Sequence, residues 1–504
     1  MQINNKEIFK IIIILFLLHI LAFSLLPLPD PSESRYASIA SEMVNSGDYV
    51  MPQIWIKGKL IPFMSKPPFA FWMSALSIEV FGTNEFAVRL PSFVAGLLML
   101  LLMYYILNRY KDKETALTAV IITATSGGYY LLSSAVLVDI WLCFFSIGAI
   151  FLYFGFMKEK NQKKKKILSL GIFLFLALGI LTKGPVALIF FGLPVFTYTV
   201  LNADFSPLKK VTWFTGIPLF LLISLPWFIL AEKHTPGYLH YFFINENFMR
   251  FVSPDKSLDL YSAISHAVPK GTAVAYTLLV CLPWTLFLPL FYSIKKGKAT
   301  ALIEALKAEW KRIRTNLFKK EAFSLFTSGL VSVTLFWCIS SHLMPYYMVL
   351  LVPLFSVYAA EIFRKYNFKI EYILKISALL LILYLIAYIP GYIFVDRNKS
   401  TKYITQKAVK ILKDEKLSGK IVFVRRVKYS THFYGGAVIL PHEKESVINS
   451  FKNHYSINNL FVMKSKYLKR IPQALLKNLK IFYKDKYWMI VKFRSNSVQI
   501  ARVE

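Results

Sequence analysis

Charge is scarce in this chain. Only 17% of its 504 residues are Asp, Glu, Lys or Arg, well below the roughly 25% of soluble proteins. Acidic residues are the scarcest part, 28 against 60 basic ones. There are only three cysteines, Cys143, Cys281 and Cys338, and each lies inside an apolar run. That excludes a disulfide framework and makes each a small apolar filler. The chain shows no internal repeat of the kind many transporters carry, and no nucleic-acid-binding module accompanies its net charge of +32. No motif requires a cofactor; a divalent metal is left open.

Apolar and aromatic residues fill the space, 56% hydrophobic and 16% aromatic, with a mean hydropathy of +0.49. Apolar runs long enough to cross a bilayer recur, at about 20 residues each. They fall near 9–26, 90–108, 115–134, 137–157, 167–182, 184–201, 211–230, 271–293, 322–340, 343–363 and 371–395. Phe69–Phe81 reads as interfacial or as one further span. The run from Phe9 to Leu26 has no small-x-small cleavage site and reads as an uncleaved first span. The expected architecture is a polytopic all-α bundle of about 11 to 13 spans in residues 1–396. A small α/β domain follows in 397–504.

The loops give an orientation. With the N-terminus cytoplasmic, the inside segments are Arg109–Lys113, Lys158–Lys166, Asn202–Lys210, Ser293–Lys320 and Arg364–Lys369. Nine Lys/Arg lie between 295 and 320, while the long outer loops 27–89 and 231–270 hold five and four. Basic residues gather on the cytoplasmic side of membrane proteins. The tail then lies outside, with 24 Lys/Arg against seven Asp/Glu from residue 396 onward, facing phosphate-bearing lipids. Lys420–Val424, Ala437–Leu440, Asn459–Met463 and Tyr487–Phe493 read as its strands. Thr401–Lys416 and His442–Lys452 read as its helices.

Chemistry is expected at the outer membrane edge. Pro31 and Ser32 suit a helix start, and Tyr36, Ile39, Ala40 and Met43 form one apolar stripe. This predicts an amphipathic interfacial helix with Asp30, Glu33 and Arg35 at its beginning. A solvated cap with a salt bridge is the plainer reading. Lys66, before a proline-broken aromatic stretch, suits a lipid-borne phosphate, or it snorkels to the interface. Asp139 lies between Val138 and Ile140, where a carboxylate costs several kcal/mol without a partner or cavity. Lys183 in Leu-Thr-Lys-Gly-Pro interrupts two apolar runs at the same face, as a site cation or a polar turn. His342, Tyr346 and Tyr347 mark that level as cavity residues or as an aromatic belt.

These segments occur in a recognisable order. The acidic-x-Arg-Tyr helix, Lys-Pro-Pro, the Val-Asp span, Thr-Lys-Gly-Pro, His240–Phe251 and Leu-Pro-Trp-Thr at 282–285 together cover roughly residues 8–365. The chain resembles the aminoarabinose transferase and protein O-mannosyltransferase group of the GT-C fold. The resemblance implies a polyprenyl-phosphate-sugar donor and transfer with inversion to an envelope acceptor. A lipid A-type glycolipid is the first choice of acceptor, and a protein or other glycan remains possible. It places the reaction at the outer face of a bacterial inner membrane. Arg35, Lys66, Lys183 and Arg250 would hold the donor phosphate; Asp139, Glu33 and Asp30 are the candidate catalytic carboxylates. Tyr36, Glu246, His342, Tyr346 and Tyr347 would line the cavity. An acceptor that is itself a phosphate needs no base. The chain departs from the family in having Ser32-Glu33 for Asp-Glu, Ser65-Lys66 for Glu-Lys and Glu246-Asn247 for Glu-His, so no metal contact is assigned. A transporter or flippase, and a scaffold with no chemistry, are the alternative classes.

Overall fold

The structure, a computed structural model, describes residues 5–252, 268–296 and 324–494, apart from 57, 341, 425–426 and 441–444, together with 307 and 311. Most of the basic segment Ser293–Lys320, part of the loop 231–270 and the start of the stretch His442–Lys452 lie outside those residues. The chain forms two compact units. One comprises Met1–Phe23, Met64–Ser74 and Arg89–Ile386; the other comprises Ser24–Phe63, Ala75–Val88 and Ala387–Glu504.

The first unit is helical. Among the described residues of the chain, seven helices are long and apolar enough to cross a membrane: Lys6–Ser24, Glu85–Tyr110, Val138–Lys158, Gln162–Lys183, Trp213–His234, Pro345–Lys365 and Ile370–Phe394. A further pair, Thr272–Val280 and Trp284–Phe291, is bent by 84°. Pro283 falls in the break, where it removes a backbone donor and disfavours continuation of the preceding helix. Three other apolar helices, Phe69–Phe81, Val186–Leu201 and Leu325–Ile339, have 13, 16 and 15 residues. At about 1.5 Å per residue none of them reaches the ~30 Å of a hydrocarbon core. Helices of full-span length number seven, or eight with the bent pair, among the described residues, and these three shorter apolar helices stand beside them. The run 115–134 divides for a local reason. Its helix ends at Thr125, Ser126 turns extended, and Gly127 begins a separate short helix.

Packing in this unit relies on close approach. The helix Trp213–His234 lies on Gln162–Lys183, and a Cβ on Gly216 would stand 2.1 Å from the Phe173 ring. Large apolar side chains also point away from the protein, with Phe214 98% exposed. Such surface is stable against lipid and costly against water.

The second unit joins the first long loop to the tail. Helix Ser32–Ser46 carries the expected stripe, with Tyr36, Ile39, Ala40 and Met43 buried. It packs on a hairpin of β1 (Gln53–Ile56) and β2 (Lys59–Pro62). Gly58 turns that hairpin at φ +75°, a conformation that favours glycine. A second sheet has β3 (Ile421–Phe423), β4 (Leu460–Lys464), β5 (Leu479–Lys484) and β6 (Trp488–Phe493) in the order β3-β4-β6-β5. β3 and β4 are parallel and the remaining pairs antiparallel.

Strand alternation builds two cores. Leu460 and Val462 meet Ile404, Ala408 and Leu412 of helix Lys402–Asp414. Phe461 and Met463 meet Val447 and Phe451 on the opposite face. The segment Ala437–Leu440 makes an isolated bridge, Ile421 to Ile439, rather than the expected strand.

Candidate functional site

Two helix ends create the first half of the site. The hairpin of Val138–Lys158 and Gln162–Lys183 has a short connection at 159–161, so its outer ends meet. Asp139 sits in the first turn of the former and Lys183 in the last turn of the latter. Helix dipoles favour an anion and a cation at those respective positions. Lys183 Nζ donates to Asp139 Oδ1 at 2.5 Å, with side chains 10% and 2% exposed. The carboxylate expected to need a partner has one. Immediately after Asp139's first turn the helix widens into a π segment, Cys143–Ile147, a feature that recurs at functional sites.

Gly184 then stops the lysine's helix at φ +83°, and a Cβ there would lie 2.5 Å from Phe242 Cζ. Glycine alone satisfies both the backbone conformation and the contact. Phe242 belongs to the π-helical segment Tyr241–Met249, which also carries Glu246. The lysine turn is thus seated against the element that supplies the second half.

Glu246 gathers its own cations. Its Oε1 accepts from Lys66 Nζ at 2.5 Å, Ser65 Oγ at 2.6 Å and Arg250 Nη1 at 2.7 Å. Its Oε2 is buried with no hydrogen-bond partner among the described residues. Burial pushes the Glu246 carboxyl up, but the charges of Lys66 and Arg250, with hydrogen bonds from Lys66 and Ser65, hold it below its ordinary value. Burial pulls the Lys66 ammonium down, opposed by Glu246.

Tyr347 relates the two halves. Lys183 Nζ stands 4.0 Å from its ring centroid, a cation–π distance, and Tyr347 also lies within electrostatic reach of Lys66. Trp337 stacks on the Tyr347 ring at 5.4 Å, and Tyr346 meets it edge-on at 5.0 Å. His342 lies in the preceding bend, where Ser340 Oγ donates to its carbonyl at 2.9 Å. Among the described residues the cluster brings three cations, Lys66, Lys183 and Arg250, together with two carboxylates, Asp139 and Glu246. Convergent cationic donors of this kind suit an anion with phosphate geometry.

The other candidates belong to the second unit. Glu33 and Tyr36 are buried on helix Ser32–Ser46. Arg35 lies over the rings of Tyr36 and Phe63 at 5.2 and 6.0 Å. Asp30 accepts from Ser34 Oγ at 2.7 Å and from Ser430 Oγ and N at 2.5 and 3.1 Å, with Lys428 Nζ at 3.8 Å. That bonding is the bonding of a joint between chain segments. Asp30→Ala is expected to lower stability by about 1–3 kcal/mol, because it strands the buried Ser430 donors. Thermal melting in detergent measures this; an unchanged midpoint would contradict the structural role.

Ser65 and Trp337 escaped the sequence reading. Ser65 is small and mildly polar, and nothing local pairs it with a carboxylate 181 positions away. Trp337 reads there as one more apolar residue of its helix.

Comparison with known proteins bears on this geometry. Residues 12–242 match the family described as dolichyl-phosphate-mannose-protein mannosyltransferase. The chain is 28% identical over 317 residues to an undecaprenyl phosphate-alpha-4-amino-4-deoxy-L-arabinose arabinosyl transferase of Shewanella sediminis, covering 61% of this chain and 52% of that one. A second protein so named, from Proteus mirabilis, is 27% identical over 347 residues, covering 67% and 57%. The chain thus spans little more than half the length of these relatives. An uncharacterized protein of Aquifex aeolicus is 27% identical over 81% of this chain and 83% of its own. Among solved structures, ArnT from Cupriavidus metallidurans bound to undecaprenyl phosphate superposes with a TM-score of 0.76 at 15% identity, over 98% and 99% of the two chains. The Archaeoglobus fulgidus oligosaccharyltransferase gives 0.53 at 12% identity, over 92% and 70%.

Proposed function

We propose, on the premise that this multi-pass membrane chain has the GT-C fold and resembles the aminoarabinose transferase and O-mannosyltransferase group, that it is a glycosyltransferase drawing on a polyprenyl-phosphate sugar. The observation that carries the reading is the convergence of Lys66, Lys183 and Arg250 near Tyr347. A polyprenyl-phosphate sugar is a phosphodiester with one negative charge, an anion that such donors suit. When the bond from the sugar to phosphate oxygen breaks, the leaving phosphate gains a second negative charge. Lys66, Lys183 and Arg250 are placed to stabilise it as it forms.

Asp139 is a positioning residue in this account. Its carboxylate is engaged by Lys183 at 2.5 Å, and its effect is to aim the ammonium. Glu246 does the same for Lys66 and Arg250. An acceptor hydroxyl would need a base; a phosphate acceptor would need none. The envelope acceptor in this reading is a glycolipid of lipid A type, as the resemblance of the ordered motifs implies. The transporter reading gains nothing from the comparisons, since the named matches are transferases.

The test of function is mass spectrometry of envelope glycolipids from cells with and without the gene. A glycolipid lighter by one sugar residue in the deletion supports the reading, and identical profiles count against it.

The site is assigned to the outer face of the inner membrane from the alternating Lys/Arg loops. A reporter fused after Glu504 is therefore expected to be active only if it works outside the cytoplasm. Activity of a strictly cytoplasmic reporter there would reverse the orientation.

A further inference from the structure

The second unit contains a cavity of about 710 Å³, within the ~300–1,000 Å³ of small-molecule sites. It is lined by the first-outer-loop helix Ser32–Ser46, the β1–β2 hairpin and residues of the tail. None of its lining residues belongs to the cation cluster.

Its chemistry is specific. Trp55 lies parallel to His432, with ring centroids 5.6 Å apart and an interplanar angle of 8°, which fixes the plane of the indole. Trp55 Nε1–H donates to Glu42 Oε2 at 3.2 Å, and the carboxylate has a second oxygen to accept a ligand hydroxyl. Asn45 and Gln406 add planar amides, each both donor and acceptor. Lys420 Nζ is turned to the Ala437 carbonyl at 2.7 Å, so the lining does not present the cation excess of a phosphate site. Gly436, at φ +53°, has nothing within 4 Å of where a Cβ would stand, leaving the rim open.

An immobilised aromatic plate meets the C–H face of a pyranose, and amides with a carboxylate match its ring of hydroxyls. We infer that this cavity binds the saccharide portion of the acceptor. Its role as an acceptor site rests on the glycosyltransferase reading; saccharide binding itself does not. The cavity has room for more than one sugar ring.

The test is isothermal titration of the full-length protein in nanodiscs with a phosphate-free glucosamine disaccharide. The wild type is expected to bind saturably, and polyprenyl phosphate is expected not to compete. Trp55→Ala should weaken binding about ten-fold, and Trp55→Phe less, because it keeps an aromatic face. Ser41→Trp, which fills the cavity and leaves the plate intact, should abolish binding and guards against misfolding of the alanine variant. Absence of saturable binding by the wild type overturns the assignment. So does wild-type affinity in both Trp55→Ala and Ser41→Trp, and competition by polyprenyl phosphate would move the disaccharide to the donor site. Because the readout is binding, loss of the transferase reading would leave the result interpretable.

Discussion

Asp139→Asn is expected to lower sugar transfer by roughly 10²–10³-fold, the range for losing one preorganised electrostatic contact at a reaction centre. Asparagine keeps the shape and an acceptor oxygen for Lys183 Nζ, and it suits the first turn of Val138–Leu142 about as well as aspartate. What it removes is the charge that aims Lys183 at 2.5 Å. Comparison at equal amounts of folded protein separates this from stability. If Asp139 acts through Lys183, then Lys183→Met shows a loss of similar size and the double variant falls little further, as residues acting as one unit do. If the two losses multiply, Asp139 has an independent role as a base. If Asp139→Asn is within a few-fold of wild type, the carboxylate only caps a helix.

Glu246→Leu carries the second large effect. It removes the carboxylate that pairs Lys66 and Arg250, and breaking a buried ion pair from one side costs roughly 3–5 kcal/mol. Detergent melting should fall accordingly. Glu246→Gln retains an acceptor and should lose less. The informative part is recovery: a ligand that binds only the folded state stabilises it by mass action. Polyprenyl phosphate should restore more stability to Glu246→Gln than it adds to the wild type, because its phosphate takes the place of the missing carboxylate. Equal shifts in both proteins would detach these cations from the donor. The wild-type carboxyl, held below its ordinary value, supplies its stabilisation above the unfolded carboxylate range. That stabilisation is lost as pH falls through the depressed folded value.

Much of this was legible in the sequence for a physical reason, namely that a charge in an apolar run is expensive and therefore conspicuous. Asp139 and Lys183 stood out individually, and so did the segments around Lys66 and Glu246. Their partnerships were not legible. Lys183 and Asp139 are 44 residues apart, Lys66 and Glu246 are 180 apart, and long-range pairing leaves no periodic trace. The same limit hid the joining of the first outer loop to the tail, since Asp30 and Ser430 are 400 residues apart. Apolar runs and full-length helices differ in number because a run can hold a helix of only 13 to 16 residues. β1 and β2 were missed because strands of four residues give alternation too little room. Ser126 and Pro283 did mark real breaks in helices, and their chemistry would have allowed those runs to be divided.

The central claim is that the cation cluster around Tyr347 holds the phosphate of a lipid-linked sugar while the sugar is transferred. The purified chain, given undecaprenyl-phosphate-linked sugar and a lipid A-type acceptor, tests it by mass spectrometry of both lipids. The account predicts an acceptor heavier by one sugar residue, release of undecaprenyl phosphate, a loss of roughly ten- to a hundred-fold in Lys66→Met, one charge-assisted contact, and of roughly 10²–10³-fold in Lys183→Met. Donor consumption at the wild-type rate in both folded variants would contradict it.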